Sequence, residues 1–184
     1  TKKKITKQLG DGKLLSQLTK KKVVYDFRQN DLKNGGQGAP LVPIFHNAMV
    51  NKYLNSELNK SYSINVLNIG GIANITKTVK WDDFIYLNDL NTIKASDISP
   101  GNCLIDEWVR KNSKNKYDKD GLLASNGKSD NLVLNQALDN FQILDKNSLD
   151  IKDFDVSFVR GLSFEDGAST LTNFTAEIVC EGLK

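Results

Sequence analysis

Residues 63–79 read SINVLNIGGIANITKTV. Two runs rich in β-branched apolar residues flank Gly70-Gly71, a pattern that predicts two strands joined by a tight hairpin. Two readings of the glycines are open. They are the default residues where a turn needs positive φ. Equally, without Cβ atoms they let backbone N–H groups come close to the oxygens of a phosphate. The stretch is neither a Walker A loop, since the following Lys and Ser/Thr are missing, nor a GxGxxG fingerprint.

Downstream, FIYLND (84–89) predicts a third short strand, and TIKASDI (92–98) leads into the motif ASDISPGNCLIDEW (95–108). Leu104, Ile105, Trp108 and Val109 recur at helical spacing, so a helix is expected from Asn102. Asp106 and Glu107 early in that helix, and Arg110 and Lys111 late, complement its dipole. Asp97, just before the Pro100-Gly101 turn, is either a turn residue or a general base, which needs a carboxylate held near a hydroxyl or water. Further on, 115–128 is polar and glycine-punctuated, hence a loop, and a helix is expected over 129–144. The last helix opens at Ser163-x-x-Asp166, a capping-box pattern, and lines up Ala168, Leu171, Phe174 and Ile178.

Upstream, GDGKLLSQLT (10–19) predicts a turn and a short helix, and KVVYDFR (22–28) a strand ending near Asp26. Residues 30–42 form a glycine-rich loop closed by Pro40 and Pro43, the second opening a helix with Ile44, Phe45, Ala48 and Met49 on one face. His46, the single histidine, is either packed there or an acid-base group. Arg28 is one of three arginines in a lysine-rich chain. Either it pairs with Asp26 on the surface, or it supplies the planar fork that a carboxylate ligand requires and lysine cannot.

The chain's 184 residues suffice for one large or two small domains with a real core. A 39% hydrophobic and 26% charged composition is that of a soluble globular protein. The net charge of +3 is small, and the lysine clusters at 1–7 and 19–24 carry no interleaved aromatics, so no nucleic-acid partner is expected. No apolar run nears the roughly 18 residues that span a bilayer, and the basic start lacks an apolar segment behind it. Cys103 and Cys180 have no CxxC spacing and no neighbouring histidine. That points to a reducing compartment, the cytoplasm, with neither zinc site nor disulfide framework. Strands and helices mix as in an α/β fold, and hairpins exclude an all-parallel sheet.

Six stretches, at 9–19, 23–46, 67–76, 97–108, 117–128 and 161–176, occur in the order found in anhydro-N-acetylmuramic acid kinases, and the chain resembles that family over almost its whole length. The resemblance implies a two-lobed sugar kinase/Hsp70/actin-like (ribonuclease H-like) fold, present in part, with a mixed sheet and flanking helices. Residues 1–62 would belong to the first lobe and 63–184 to the second. It implies conversion of 1,6-anhydro-N-acetylmuramic acid, ATP and water into N-acetylmuramic acid 6-phosphate and ADP in cell-wall recycling. Asp97 would be the base that activates water. Asp26, Arg28 and Gln37 would meet the sugar, and Asn68, Gly70, Gly71, Asn74, Gly101 and Asn102 the nucleotide. ATP and Mg2+ are the expected cofactors, no protein metal ligand is assigned, and a homodimer is left open.

The sequence departs from the family at D-I-S-P-G-N, where Ile98 and Ser99 replace the usual threonine and glycine. The family's N-terminal G-T-S-x-D-G loop and C-terminal glycine-rich segment have no counterpart, so an internal segment is expected. Alternatives are a homologue that binds the sugar without turnover, and a different kinase of the superfamily.

Overall fold

A computed structural model of the chain describes residues 7–36, 38–54, 63–79, 93–141 and 149–184. The hairpin forms as expected: β1 (Ser63–Ile69) and β2 (Ala73–Val79) pair antiparallel, with Ser63 opposite Val79 and Ile69 opposite Ala73. β3 (Lys94–Ser99) joins the other edge of β2, also antiparallel, in the order β1-β2-β3. No parallel pair occurs among the described strands, so the sheet they form is antiparallel, not mixed. The strand expected at 84–89 lies outside the described residues.

Pro100 stops β3, and α4 (Cys103–Asn112) follows. Its buried residues Leu104, Trp108 and Val109 match the helical spacing, and Arg110 and Lys111 reach back to Asp106 and Glu107 one turn away. The expected loop at 115–128 is partly helical. A 3-10 turn (Lys119–Gly121) runs into α5 (Leu122–Asn126), whose first amides are held by Asp118: Leu123 N donates to Oδ1 at 2.8 Å and Ala124 N to Oδ2 at 3.0 Å. α6 (Asn131–Asn140) is capped by Asp130, which accepts from Leu132 N and Val133 N.

The spine of the fold is α7 (Phe164–Leu183). Ser163 caps it, accepting from Asp166 N at 3.0 Å. The Asp166 carboxylate accepts from Lys128 N at 2.7 Å as well as from the Ser163 side chain, so this half of the cap also serves a distant loop. Gly167 is required sterically: a Cβ there would sit 2.5 Å from the Trp108 ring, whose Nε1 donates to Phe164 O at 2.9 Å. One side of α7 buries Ala168, Leu171, Phe174 and Ile178 against α4 and α6. Near its end Val179 covers Ala73, Ile75 and Ile98 of the sheet. Both cores therefore share one helix.

The N-terminal part differs more from expectation. α1 (Gly12–Thr19) forms and is capped by Asp11. Residues 22–26 are not a strand: among the described residues no other strand flanks them, and Tyr25 lays its ring on Gly12 of α1. Asp26 then turns left-handed (φ 65°) and α2 (Phe27–Lys33) takes up part of the expected glycine-rich loop. α3 (Pro43–Leu54) starts at Pro43 as expected, but Ile44, Phe45 and Met49 are exposed. The residues it turns inward are polar. Asn47 is buried, and His46 Nδ1 lies 3.0 Å from Oγ1 of the buried Thr76 on β2.

Candidate active site

The open end of the sheet gathers most of the residues singled out from the sequence. Asn68 lies opposite Asn74, and Asn74 opposite Asp97, so the three form one row across three strands. Directly opposed residues project to the same side of a sheet. Thr76, two residues along β2, shares a side with Asn74 and meets His46, so α3 approaches the side of β2 that carries Asn74. A bulge between β2 and β3 produces this pairing. Ala73 opposes Ser99 and Asn74 opposes Asp97, leaving Ile98 as the extra residue. Such bulges re-aim neighbouring side chains.

Asp97 is held by one oxygen. Its Oδ2 accepts from Leu149 N at 2.8 Å, and Oδ1 has no partner among the described residues. The carboxylate is half-buried and lines a cavity of about 560 Å³ together with Phe141, Phe154, Phe158, Asp153 and Asp155. A hydrogen bond from Ser157 holds the Asp155 carboxyl below its usual range. Sequence reasoning did not anticipate the Leu149 anchor, since a backbone amide 52 residues away leaves no side-chain signal.

The hairpin tip and the turn after β3 are one unit. Asn102 N donates to Gly70 O at 2.8 Å, and Cys103 N to Gly71 O at 3.1 Å. These bonds occupy the leading amides of α4, so those two N–H groups do not point out at a ligand. Gly101 makes the contact possible. It is left-handed (φ 52°), and a Cβ on it would collide with Gly70 O and lie 3.0 Å from Ala73 N. The Cys103 thiol is buried beneath the turn, bonded to Pro100 O at 2.8 Å, and burial pushes its pKa up to about 11. A thiol so placed is a poor nucleophile.

Gly70 and Gly71 contrast with Gly101. Neither has positive φ, contrary to the steric reading of the hairpin, because a three-residue loop (Gly70, Gly71, Ile72) makes the turn. A Cβ on Gly70 would meet its nearest neighbour at 3.6 Å, and one on Gly71 at 3.9 Å, both ordinary contacts. Backbone strain and internal crowding thus do not call for glycine at these two positions.

Asp26 and Arg28 lie elsewhere, exposed at the start of α2, and neither lines the cavity of Asp97. The surface ion pair that their spacing suggested is not formed, since Arg28 has no hydrogen bond or ion pair among the described residues. Gln37 lies outside the described residues. Asn102 is exposed and opens on a different cleft, of about 780 Å³, between α4 and α7. The departures at Ile98 and Ser99 are both buried. Ile98 packs against Gly182 of α7, and Ser99 Oγ accepts from Gly101 N at 3.4 Å. No three His, Cys, Asp or Glu side chains converge as a metal cage among the described residues. No helix among them is long and apolar enough to cross a membrane.

Comparison with known proteins gives a consistent result. The family model described as anhydro-N-acetylmuramic acid kinase matches residues 1–184. An anhydro-N-acetylmuramic acid kinase of Pelagibacter ubique is 51% identical over 183 residues, covering 98% of this chain and 46% of the relative. Namesakes from Zymomonas mobilis (43% identical; 97% of this chain, 45% of the relative) and Rhodopseudomonas palustris (38%; 96% and 45%) align likewise. The chain spans about half the length of the curated relatives it matches. The chain belongs to the anhydro-N-acetylmuramic acid kinase family.

Proposed function

We propose that this chain forms part of a cytoplasmic kinase of cell-wall recycling that turns 1,6-anhydro-N-acetylmuramic acid, ATP and water into N-acetylmuramic acid 6-phosphate and ADP. Asp97 is the general base. It takes a proton from water as the water oxygen bonds to the anomeric carbon. The bond from that carbon to O6 breaks, and O6 attacks the γ-phosphorus as ADP leaves. Held through Oδ2, Asp97 keeps Oδ1 to accept that proton. The glycine hairpin positions the polyphosphate, since phosphoryl transfer depends chiefly on alignment and electrostatics. Arg28, with Asp26 and Gln37, receives the lactyl carboxylate and sugar. Residues 1–62 form part of the sugar-side lobe and 63–184 the phosphate-side lobe of a two-lobed kinase.

The observation that carries this reading is the hairpin tip: two adjacent glycines that the fold itself does not require, beside a carboxylate with one oxygen unengaged among the described residues. Close approach of a phosphate is the remaining reason for glycine there. Burial of Ser99 beneath the turn favours an active enzyme over a silent sugar binder, since that departure faces the core, and Ile98 presents only an apolar wall to the Asp97 cavity. Magnesium, when bound, offsets the charge of the nucleotide phosphates. An ion carried by phosphates needs only one or two carboxylates, with water completing its shell. Asp153 and Asp155, which line the same cavity, would meet that need and leave Asp97 its role as base. The test is formation of the sugar phosphate from the anhydro sugar and ATP by the product of the full reading frame. ATP hydrolysis without sugar phosphate would overturn the assignment.

A further inference from the structure

Three threonines of α7 use their hydroxyls differently. Thr170 and Thr172 fold theirs back on the helix, donating to Asp166 O at 2.7 Å and Ala168 O at 2.8 Å. Thr175, buried at 7% exposure, instead donates to Gly101 O at 3.1 Å, 74 residues away. That carbonyl belongs to the Gly101–Asn102 peptide unit, whose N–H donates to Gly70 O. A peptide unit is planar, so fixing the direction of its C=O also fixes that of its N–H. One rigid plane is therefore gripped at both ends, by α7 at the carbonyl and by the glycine hairpin at the amide.

We propose that Thr175 is a positioning residue of the kinase site, setting through this plane how the glycine hairpin sits against the turn that follows Asp97. The proposal rests on the reading of Asp97 and the hairpin given above. It explains why a β-branched residue of modest helix propensity occupies a buried helix interior without bonding its own helix. Thr175→Val keeps the shape and removes only the hydroxyl, whereas Thr175→Ser keeps the donor.

Amide hydrogen exchange on this chain reads the grip directly. In Thr175→Val the Asn102 amide should exchange about tenfold faster, the factor matching one ordinary hydrogen bond. The Lys128 amide, held by Asp166, should not change, and Thr175→Ser should restore Asn102. In the product of the full reading frame, Thr175→Val should lower kcat about tenfold with little change in the KM for the anhydro sugar. An unchanged Asn102 amide would overturn the proposal, as would uniform acceleration of all amides, which marks plain destabilisation. Faster exchange with undiminished kcat would also overturn it. Absence of kinase activity in the unmodified protein would instead sink the functional reading, while the exchange data still judge the grip.

Discussion

Replacing Gly101 with alanine tests the joint between hairpin and turn most severely. A left-handed backbone costs a non-glycine residue about 1–2 kcal/mol. The new methyl would also strike Gly70 O and crowd Ala73 N at 3.0 Å and Gly71 O at 3.1 Å, and the neighbours are backbone atoms that cannot swing aside. Separation of hairpin and turn breaks the Asn102–Gly70 and Cys103–Gly71 bonds, each contributing about 0.5–1.5 kcal/mol. The total is about 2–5 kcal/mol, or a fall in melting temperature of roughly 5–15 °C for a chain of this size. Gly121 supplies the control. It too is left-handed (φ 66°), but nothing lies within 4 Å of its missing Cβ, so Gly121→Ala carries the backbone term alone. Thermal and urea unfolding of the two variants side by side measures the clash as their difference. Equal losses would refute the reasoning, because the hairpin would then not be seated on Gly101.

Three further outcomes are expected. Asp97→Asn in the product of the full reading frame should lower kcat about 10²–10⁴-fold while ligand affinity persists, since an amide can hydrogen-bond but cannot take a proton; near-normal turnover in steady-state kinetics would make Asp97 a turn residue. Arg28→Lys should weaken binding of the anhydro sugar more than of ATP, because a point charge cannot replace a bidentate fork; calorimetry showing equal losses would contradict this. Cys103, with a pKa raised from 9.0 to about 11, stays a thiol in the folded chain over a range where the unfolded chain ionises it. Stability should therefore fall between about pH 9 and 11, by an amount on the order of 2 kcal/mol, and Cys103→Ala should flatten that part of the profile.

Periodicity made much of the second part of the chain legible. The hairpin, α4 and α7 each carry a long, regular apolar pattern that local sequence states openly. Val23-Val24-Tyr25 carries strand propensity too, yet a strand exists only where another edge accepts it, and here Tyr25 packs on Gly12. In α3 the apolar residues marked the wrong face, because the inward contact is set by the His46–Thr76 bond and not by burial of Ile44 or Phe45. The grouping of Asn68, Asn74 and Asp97 depended on strand register and on a bulge at Ile98, which no spacing along the chain reveals. Gly101 was legible as a turn residue, but its role as the seat of Gly70 comes from a contact across 31 positions.

The placing of α7 bears on how the polypeptide acquires its shape during synthesis. The hairpin closes over neighbouring residues and needs little chain to do so, whereas the sheet's apolar side is covered from the far end of α7, by Val179 with Leu183 beside it. A nascent chain from which the end of α7 has not emerged holds Ala73, Ile75 and Ile98 open to water, with Thr175 still inside the ribosome tunnel. Local contacts form quickly and distant ones wait for loop closure. Release of α7 through residue 179 from the ribosome is thus what lets the Asp97 turn settle, more than 75 residues after Asp97 itself was added.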